Sequence, residues 1–256
     1  MSYQYDGEFF DFVEASAGRS AGLFIKTFIH IGFDGRCPSS VLDVGCGRGI
    51  WLAAWAASGV ERMLGVDGDY VPGDTLLIPK EHFRAIDISK PFDLNDRFEL
   101  VQCLEVAEHV PAESADTLVW NLCRHGDVIL FSAAIPGQGG EFHVNEQPYE
   151  YWRAKFAARR YTTVDFVRAP VRRIREIEPW YRFNTFVFVN ELGMKRLGTV
   201  ARQAAVPTTE ALMNLAPLPW RLRCFVLSLF PSGAVSSLAR LKHRVANALR
   251  PTTTRR

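Results

Sequence analysis

Residues 41–50 read VLDVGCGRGI, an apolar run followed by three glycines at alternate positions. The β-branched and apolar residues before Gly45 predict a buried strand over residues 39–44, and the Ala/Trp/Leu run of residues 50–57 predicts a helix. A glycine-rich turn between a strand and a helix lets a ligand approach the backbone, and the start of the helix offers free N–H donors. This stretch therefore predicts a ligand-binding loop in an α/β domain.

Strands and helices alternate along the rest of the chain. Helices are predicted near residues 8–30 (one or two, divided at Gly18), 112–124 and 147–158, and further strands near residues 63–66, 83–86, 98–104, 128–131, 161–168 and 182–189. This alternation predicts an α/β fold with a doubly wound, mostly parallel seven-stranded sheet. Ligands of such sheets bind at the carboxyl ends of the strands, where four acids occur here: Asp43, Asp67, Asp87 and Glu105.

The composition is that of an ordinary globular protein, with 256 residues, 48% hydrophobic and 23% charged. The five cysteines include no C-x-x-C pair, which argues against a disulfide framework and a cysteine zinc site. No signal peptide is recognised, and no apolar run reaches the roughly 18 residues of a membrane span. We therefore expect a cytoplasmic protein.

Charge is distributed unevenly along the chain. The whole chain has a net charge of +2, which gives no reason to expect a DNA partner. Residues 202–256 contain nine basic residues and one acid, Glu210, so this segment carries +8 and the preceding residues carry −6. Within it, residues 233–250 have apolar side chains at helical spacing between basic ones. This pattern predicts a basic amphipathic helix that contacts a membrane surface, a protein partner or the domain's own core.

The glycine loop does not have the pattern of a dinucleotide site. Ile50 stands where G-x-G-x-x-G requires its last glycine, and a carboxylate at Asp43 would repel a pyrophosphate but suits an ammonium group. Asp67 is placed to accept hydrogen bonds from both hydroxyls of a ribose, and Asp87 to meet an adenine amino group. A nicotinamide-dependent oxidoreductase is therefore disfavoured.

The motif D-x-G-x-G-x-G, with an acid ending the next strand, resembles the class I S-adenosylmethionine-dependent methyltransferases over roughly residues 38–190. The resemblance implies a Rossmann-like methyltransferase domain at residues 38–200, between a helical lead-in (1–37) and a basic helical C-terminal extension (201–256). It implies S-adenosylmethionine as the cofactor, bound by Asp43, Gly45, Cys46, Gly47, Gly49, Asp67, Gly68, Asp87, Ile88 and Leu104.

A second motif, E-x-x-E-H, follows the fourth strand. If Glu105, Glu108 and His109 form one helical turn, they share a face that can hold a divalent cation or relay a proton. The motif resembles one in ubiquinone-biosynthesis O-methyltransferases and small-RNA 2′-O-methyltransferases, which implies Mg²⁺ bound by these three residues. His109, Glu108 and His143 are the catalytic candidates. The alternative is that the acids and histidines only shape the pocket, as in methyltransferases without a metal requirement.

The predicted reaction is methyl transfer to a hydroxyl oxygen of a small molecule. The Asn/Asp-Pro-Pro-aromatic turn typical of enzymes that methylate base amines is absent, because residues 103–106 read CLEV. Two alternatives stay open: a non-catalytic protein that binds S-adenosylmethionine or S-adenosylhomocysteine, and an RNA ribose 2′-O-methyltransferase, which the acidic body disfavours. The acceptor and the oligomeric state are not predicted.

Overall fold

A seven-stranded sheet forms the centre of the computed structural model, which describes residues 7–230 and side chains from residue 17 onward. The strands run in the order β3-β2-β1-β4-β5-β7-β6. Strands β1 to β5 are parallel, and β7 is antiparallel to both β5 and β6. The strand bounds are β1 Ser40–Val44, β2 Arg62–Asp67, β3 Phe83–Ala85, β4 Leu100–Leu104, β5 Val128–Ser132, β6 Thr162–Val164 and β7 Phe186–Val189. The predicted fold class is confirmed.

Helices cover both faces of the sheet. Their bounds are α1 Gly7–Gly32, α2 Ile50–Ala57, α3 Ala115–His125, α4 Tyr149–Ala157, α5 Arg168–Val171, α6 Pro179–Asn184, α7 Glu191–Arg196, α8 Thr199–Gln203 and α9 Leu218–Ser228. Alternate residues of each strand point to opposite faces, so the sheet has two apolar cores. One core contains side chains of α1 and α2, and the other contains side chains of α3 and α4.

The structure decides one local prediction and contradicts another. Of the one or two helices predicted for the lead-in, it has one, α1, which continues through Gly18. A Cβ at Gly18 would lie 3.3 Å from Ile50 Cδ1, so this glycine allows α1 to pack closely on α2 without ending the helix. The predicted last strand begins too early, because residues 182–184 belong to α6, which starts with Pro179 at its first position.

The C-terminal region is described only in part. Helix α9 lies within the predicted extension, whereas the helix predicted over residues 233–250 lies outside the described residues. Among residues 7–230, no helix is long and apolar enough to cross a membrane. The domain boundaries at residues 37/38 and 200/201 stay predictions.

The strand register brings the predicted site residues together at the carboxyl ends of the parallel strands, which form one edge of the sheet. Val44 of β1 is paired with Val66 of β2, and Leu104 of β4 is paired with Ser132 of β5. The chain therefore leaves β1, β2, β4 and β5 at the same edge, where the glycine loop and the E-x-x-E-H segment both begin.

Candidate active site

The loop after β1 adopts a backbone conformation that its glycines permit. Gly45, Gly47 and Gly49 have φ values of +82°, +52° and +87°, in the region that L-residues with a Cβ occupy at a cost of about 1–2 kcal/mol. The Gly45 amide donates to Val66 O at 2.8 Å and thereby ties the loop to β2. A Cβ on Gly45 would lie 2.5 Å from Val106 Cγ2, so the loop passes directly against the segment after β4.

Two buried acids lie beside this loop. The Asp67 carboxylate accepts hydrogen bonds from the amides of Gly47 and Gly68, both at 2.7 Å, and from the hydroxyl of Tyr70. Burial raises the pKa of Asp67, and it raises the pKa of Asp43 to about 7. The predicted cofactor residues around β1 and β2 therefore lie together, with Cys46 buried among them. Tyr70 was missed because no spacing rule connects it to an acid three residues earlier.

Asp87 and its neighbours occupy a more open position. The Ile86 amide donates to Asp67 O at 2.7 Å, which connects this segment to the cofactor edge. The Asp87 carboxylate is exposed, accepts from Ser89 Oγ at 2.5 Å and pairs with Lys90 at 3.0 Å, and these contacts lower its pKa. Its contact with adenine stays a prediction, as does that of Ile88. Leu104, at the end of β4, is buried.

The E-x-x-E-H segment does not form the predicted helical turn. Glu105 has a φ of +55°, and only residues 107–109 form a short 3-10 helix. The Glu105 amide is held at the end of β5, because it donates to both the carbonyl and the hydroxyl oxygen of Ser132, each at 3.1 Å. The ligand atoms that lie within 4.8 Å of one another belong to Glu108, His109 and His143. Among the described residues, the structure thus groups Glu108 and His109 of the predicted trio with His143, and metal binding by Glu105, Glu108 and His109 stays a prediction.

This segment places unsatisfied carboxylate oxygens beside neutral imidazole. Glu105 Oε1 and Glu108 Oε2 are buried and have no hydrogen-bond partner. Burial raises the pKa of Glu105, and burial with the nearby charge of Glu105 raises that of Glu108 strongly. Burial lowers the pKa of His109 to about 3, so its imidazole is neutral at pH 7. The rings of His109 and His143 meet edge to face, with centroids 4.9 Å apart.

Glu146 organises the loop that carries His143. Its carboxylate accepts from the amides of Gly137 and Gly139, at 2.7 and 2.8 Å, and lies 2.8 Å from His143 Nδ1. The loop is also held against the E-x-x-E-H segment, because two of its amides donate to Glu108 O at 2.9 and 3.0 Å. Sequence reasoning missed Glu146, since only the loop conformation brings it to the histidine.

Gln138 binds the carboxylate of Glu105. Its Nε2 donates to Glu105 Oε2 at 2.8 Å, and its Oε1 accepts from Asn184 Nδ2 at 2.6 Å. Arg223 of α9 donates to the Gln138 carbonyl at 2.9 Å. Residues from the segment after β4, the loop after β5, α6 and α9 thus meet at one point. Neither Gln138 nor Asn184 was singled out from the sequence.

The site has two chemically distinct sides. Buried acids and a backbone of positive φ form the side at β1 and β2, which suits a ligand with an ammonium group and hydroxyls. Two carboxyl groups and two imidazoles form the side at β4 and β5, which can hold a proton or a cation next to a reacting group.

Comparisons with known proteins agree with this description. Residues 18–122 match a family model described as a methyltransferase domain. No curated protein sequence matches the chain. Among solved structures, a sugar N-methyltransferase from Streptoalloteichus is similar at 16% identity and a TM-score of 0.56, over 74% of this chain and 94% of that one. The magnesium protoporphyrin IX methyltransferase of Synechocystis, solved with bound S-adenosylmethionine, is similar at 17% identity and a TM-score of 0.51, over 75% of this chain and 87% of that one.

The two structural similarities concern the fold, whereas the family model matches the segment from α1 to α3 that contains the glycine loop, Asp67 and the E-x-x-E-H motif. These findings show that the chain has the fold of the class I S-adenosylmethionine-dependent methyltransferases and that residues 18–122 are similar to a methyltransferase domain.

Proposed function

We propose that this protein transfers a methyl group from S-adenosylmethionine to a hydroxyl oxygen of a small molecule. The observation that carries the proposal is the contact between the two sides of the site. Gly45 lies against Val106, and Val106 stands between Glu105 and the short helix that carries Glu108. A cofactor on the glycine loop and an acceptor beside the two carboxyls would therefore be close neighbours.

Asp43 and Asp67 would hold the cofactor. Asp43 is a buried carboxyl suited to the ammonium group of the methionine moiety, and Asp67 is suited to the ribose hydroxyls. Gly45, Cys46, Gly47 and Gly49 provide backbone against which the ligand can lie closely. When bound, S-adenosylmethionine supplies a methyl group on a sulfonium, an electrophile that needs no activation by the protein.

The protein's task in the reaction is then alignment and proton removal. The acceptor oxygen forms a bond to the methyl carbon while the carbon–sulfur bond breaks, and the hydroxyl proton passes to the protein. Glu108 is our proposed proton acceptor in its carboxylate form. Its Oε2 is buried without a hydrogen-bond partner, and its strongly raised pKa means that it must first ionise but is then a stronger base than an ordinary carboxylate. His109 is a weaker base, since its pKa is lowered to about 3, and we assign it and His143 to orienting the acceptor.

An amine acceptor is the main alternative, and a similar structure is that of a sugar N-methyltransferase. An RNA ribose hydroxyl and cofactor binding without catalysis are further alternatives. The hydroxyl is favoured because two carboxyl groups converge on the acceptor side, and a hydroxyl must lose its proton to become a good nucleophile. A non-catalytic binding protein has no evident need for the orphaned oxygens of Glu105 and Glu108.

A metal-assisted form of the reaction is a second candidate, favoured by the convergence of Glu108, His109 and His143. This group offers one carboxylate and two imidazole ligands. Mg²⁺ prefers an all-oxygen set, whereas Mn²⁺, Fe²⁺ and Zn²⁺ accept imidazole readily. The group therefore fits a transition-metal ion better than the Mg²⁺ implied by the sequence resemblance.

The test separates cofactor binding from catalysis. S-adenosylhomocysteine at about 100 times its dissociation constant should stabilise the protein by about 2.7 kcal/mol in thermal unfolding. Asp67→Asn should weaken this ligand about tenfold or more through the loss of charge-assisted hydrogen bonds, whereas Asp69→Asn, at an exposed neighbouring acid, should not. No stabilisation of the parent protein would contradict the cofactor assignment.

Catalysis is tested with a panel of hydroxyl and amine acceptors and methyl-labelled cofactor. Glu108→Gln should lower kcat by about 10²–10⁴-fold and leave the affinity for S-adenosylhomocysteine unchanged. Glu113→Gln, at an exposed acid four residues beyond His109, is the matched control and should keep full activity. Transfer to amines but not to hydroxyls would overturn the proposed acceptor.

A further inference from the structure

Helix α9 presents an apolar face to the solvent. Leu218, Leu222, Phe225 and Val226 of α9, with Leu229 directly after it, have exposed fractions of 44–74% and follow one another at spacings of four, three, one and three residues. These spacings place them on the same side of a helix, and we call them the α9 face. Single exposed apolar residues are common, whereas a contiguous patch of this kind marks an interaction surface.

The opposite side of α9 is fixed to the domain. Cys224 is buried, and its carbonyl oxygen lies close to Gly137, since a Cβ added to Gly137 would be 1.9 Å from that oxygen. Arg223 is bonded to the carbonyl of Gln138. Because these contacts orient the helix, the α9 face cannot turn inward to join the domain's core.

The surrounding charge indicates what the α9 face binds. Residues 202–256 carry a net charge of +8, and the exposed Arg221 lies on α9 itself. A second copy docking on this face would bring two segments of +8 together. Residues 231–256 contain six basic residues and no acid. Docking this segment on α9 would therefore bring its positive charge next to that of Arg221 and Arg223. An anionic lipid surface is the occupant that combines an apolar phase with opposite charge.

We propose that the α9 face inserts into the interface of an anionic lipid bilayer, with the basic residues of the segment 202–256 at the lipid headgroups. Apolar insertion and a polybasic segment each give only weak and reversible binding, and the two together anchor a protein stably. This proposal does not depend on the methyl acceptor, because it rests on exposure and charge alone.

The experiment is sedimentation of the full-length protein with phosphatidylcholine vesicles, with and without phosphatidylserine. We expect the parent protein to bind the vesicles that contain phosphatidylserine about tenfold or more tightly than the neutral ones, and more weakly at high salt. Leu222→Asp/Phe225→Asp should reduce that binding by about tenfold or more. The control Leu192→Asp/Val200→Asp adds the same charge at exposed apolar positions of α7 and α8 and should bind as the parent protein does.

Several results would overturn the proposal. These are equal binding to both vesicle types, no binding by the parent protein, or equal losses in the two double variants. A concentration-dependent dimer that Leu222→Asp/Phe225→Asp abolishes, without vesicle binding by the parent protein, would assign the face to a second copy. Unfolding in urea checks that both double variants are folded, and Leu218→Asp, at the most exposed position of the face, provides a milder change.

Discussion

The substitution Gly45→Ala tests whether the glycine loop after β1 and the segment after β4 act as one unit. Gly45 has a φ of +82°, and a Cβ there would lie 2.5 and 2.6 Å from the two methyl carbons of Val106. Gly35 is a matched control, since its φ is +81° and a Cβ there would meet nothing within 4 Å. The two glycines therefore differ in their surroundings and have nearly the same φ.

The expected losses of stability follow from this difference. Alanine in the left-handed region costs about 1–2 kcal/mol at either position. Overpacking against Val106 should cost Gly45→Ala about 1–3 kcal/mol more. The free energy of unfolding in urea should therefore fall by about 2–5 kcal/mol for Gly45→Ala and by about 1–2 kcal/mol for Gly35→Ala.

The overlap between the added Cβ and Val106 in the Gly45→Ala variant should also affect the candidate active site. Displacing Val106 moves Glu105, whose backbone is already at a positive φ, and the short helix with Glu108. We therefore expect Gly45→Ala to weaken the binding of S-adenosylhomocysteine, measured by calorimetry, and to lower kcat as well. Gly35→Ala should change neither quantity.

A double-mutant cycle identifies the cause. In Gly45→Ala/Val106→Ala the smaller side chain makes room for the new methyl group, so the two changes should compensate each other by about 1–2 kcal/mol. Equal losses of stability in Gly45→Ala and Gly35→Ala, or additive losses in the double variant, would refute the contact as the source of coupling.

Three further predictions concern single contacts. The Asp67 carboxylate already accepts three hydrogen bonds and offers about four lone-pair sites. If two ribose hydroxyls also donate to it, one of the present donors must leave. Tyr70→Phe removes the side-chain donor and should therefore tighten S-adenosylhomocysteine binding about fivefold in calorimetry. Burial raises the pKa of Glu99, but hydrogen bonds from arginine and serine outweigh it and lower this pKa to about 2. The Glu99 carboxylate therefore stabilises the fold above its ordinary pKa of 4.5, and this effect is lost as the pH falls towards 2. After allowance for solvent screening, Glu99→Gln should lower the free energy of unfolding in urea by about 1–2 kcal/mol at pH 7 and leave it unchanged near pH 2. Gly137→Ala should displace α9, because its Cβ would lie 1.9 Å from Cys224 O, and should speed amide hydrogen exchange in that helix.

The features predicted well from the sequence are those that local patterns determine. The apolar run before Gly45, the glycines at alternate positions and the helix after them each have a physical reason within a few residues. The structure has β1, three positive φ values and α2 in that order. Asp67 was found for the same reason, since an acid that ends a buried parallel strand lies at the ligand edge of the sheet.

The side of the site at β4 and β5 was predicted less well because it is determined by contacts distant in sequence. The E-x-x-E-H spacing is compatible with a helical turn, but Glu105 has a φ of +55°, outside the right-handed helical region, at a point where its amide is bonded to Ser132, 27 residues away. The Glu105 carboxylate accepts a hydrogen bond from Gln138, and the third ligand-type residue beside Glu108 and His109 is His143. His143 reaches them because Glu146 closes its loop on the amides of Gly137 and Gly139, an arrangement without any periodic pattern. A motif after a strand thus indicates candidate residues for the chemistry, whereas their grouping depends on how the neighbouring loops close over them.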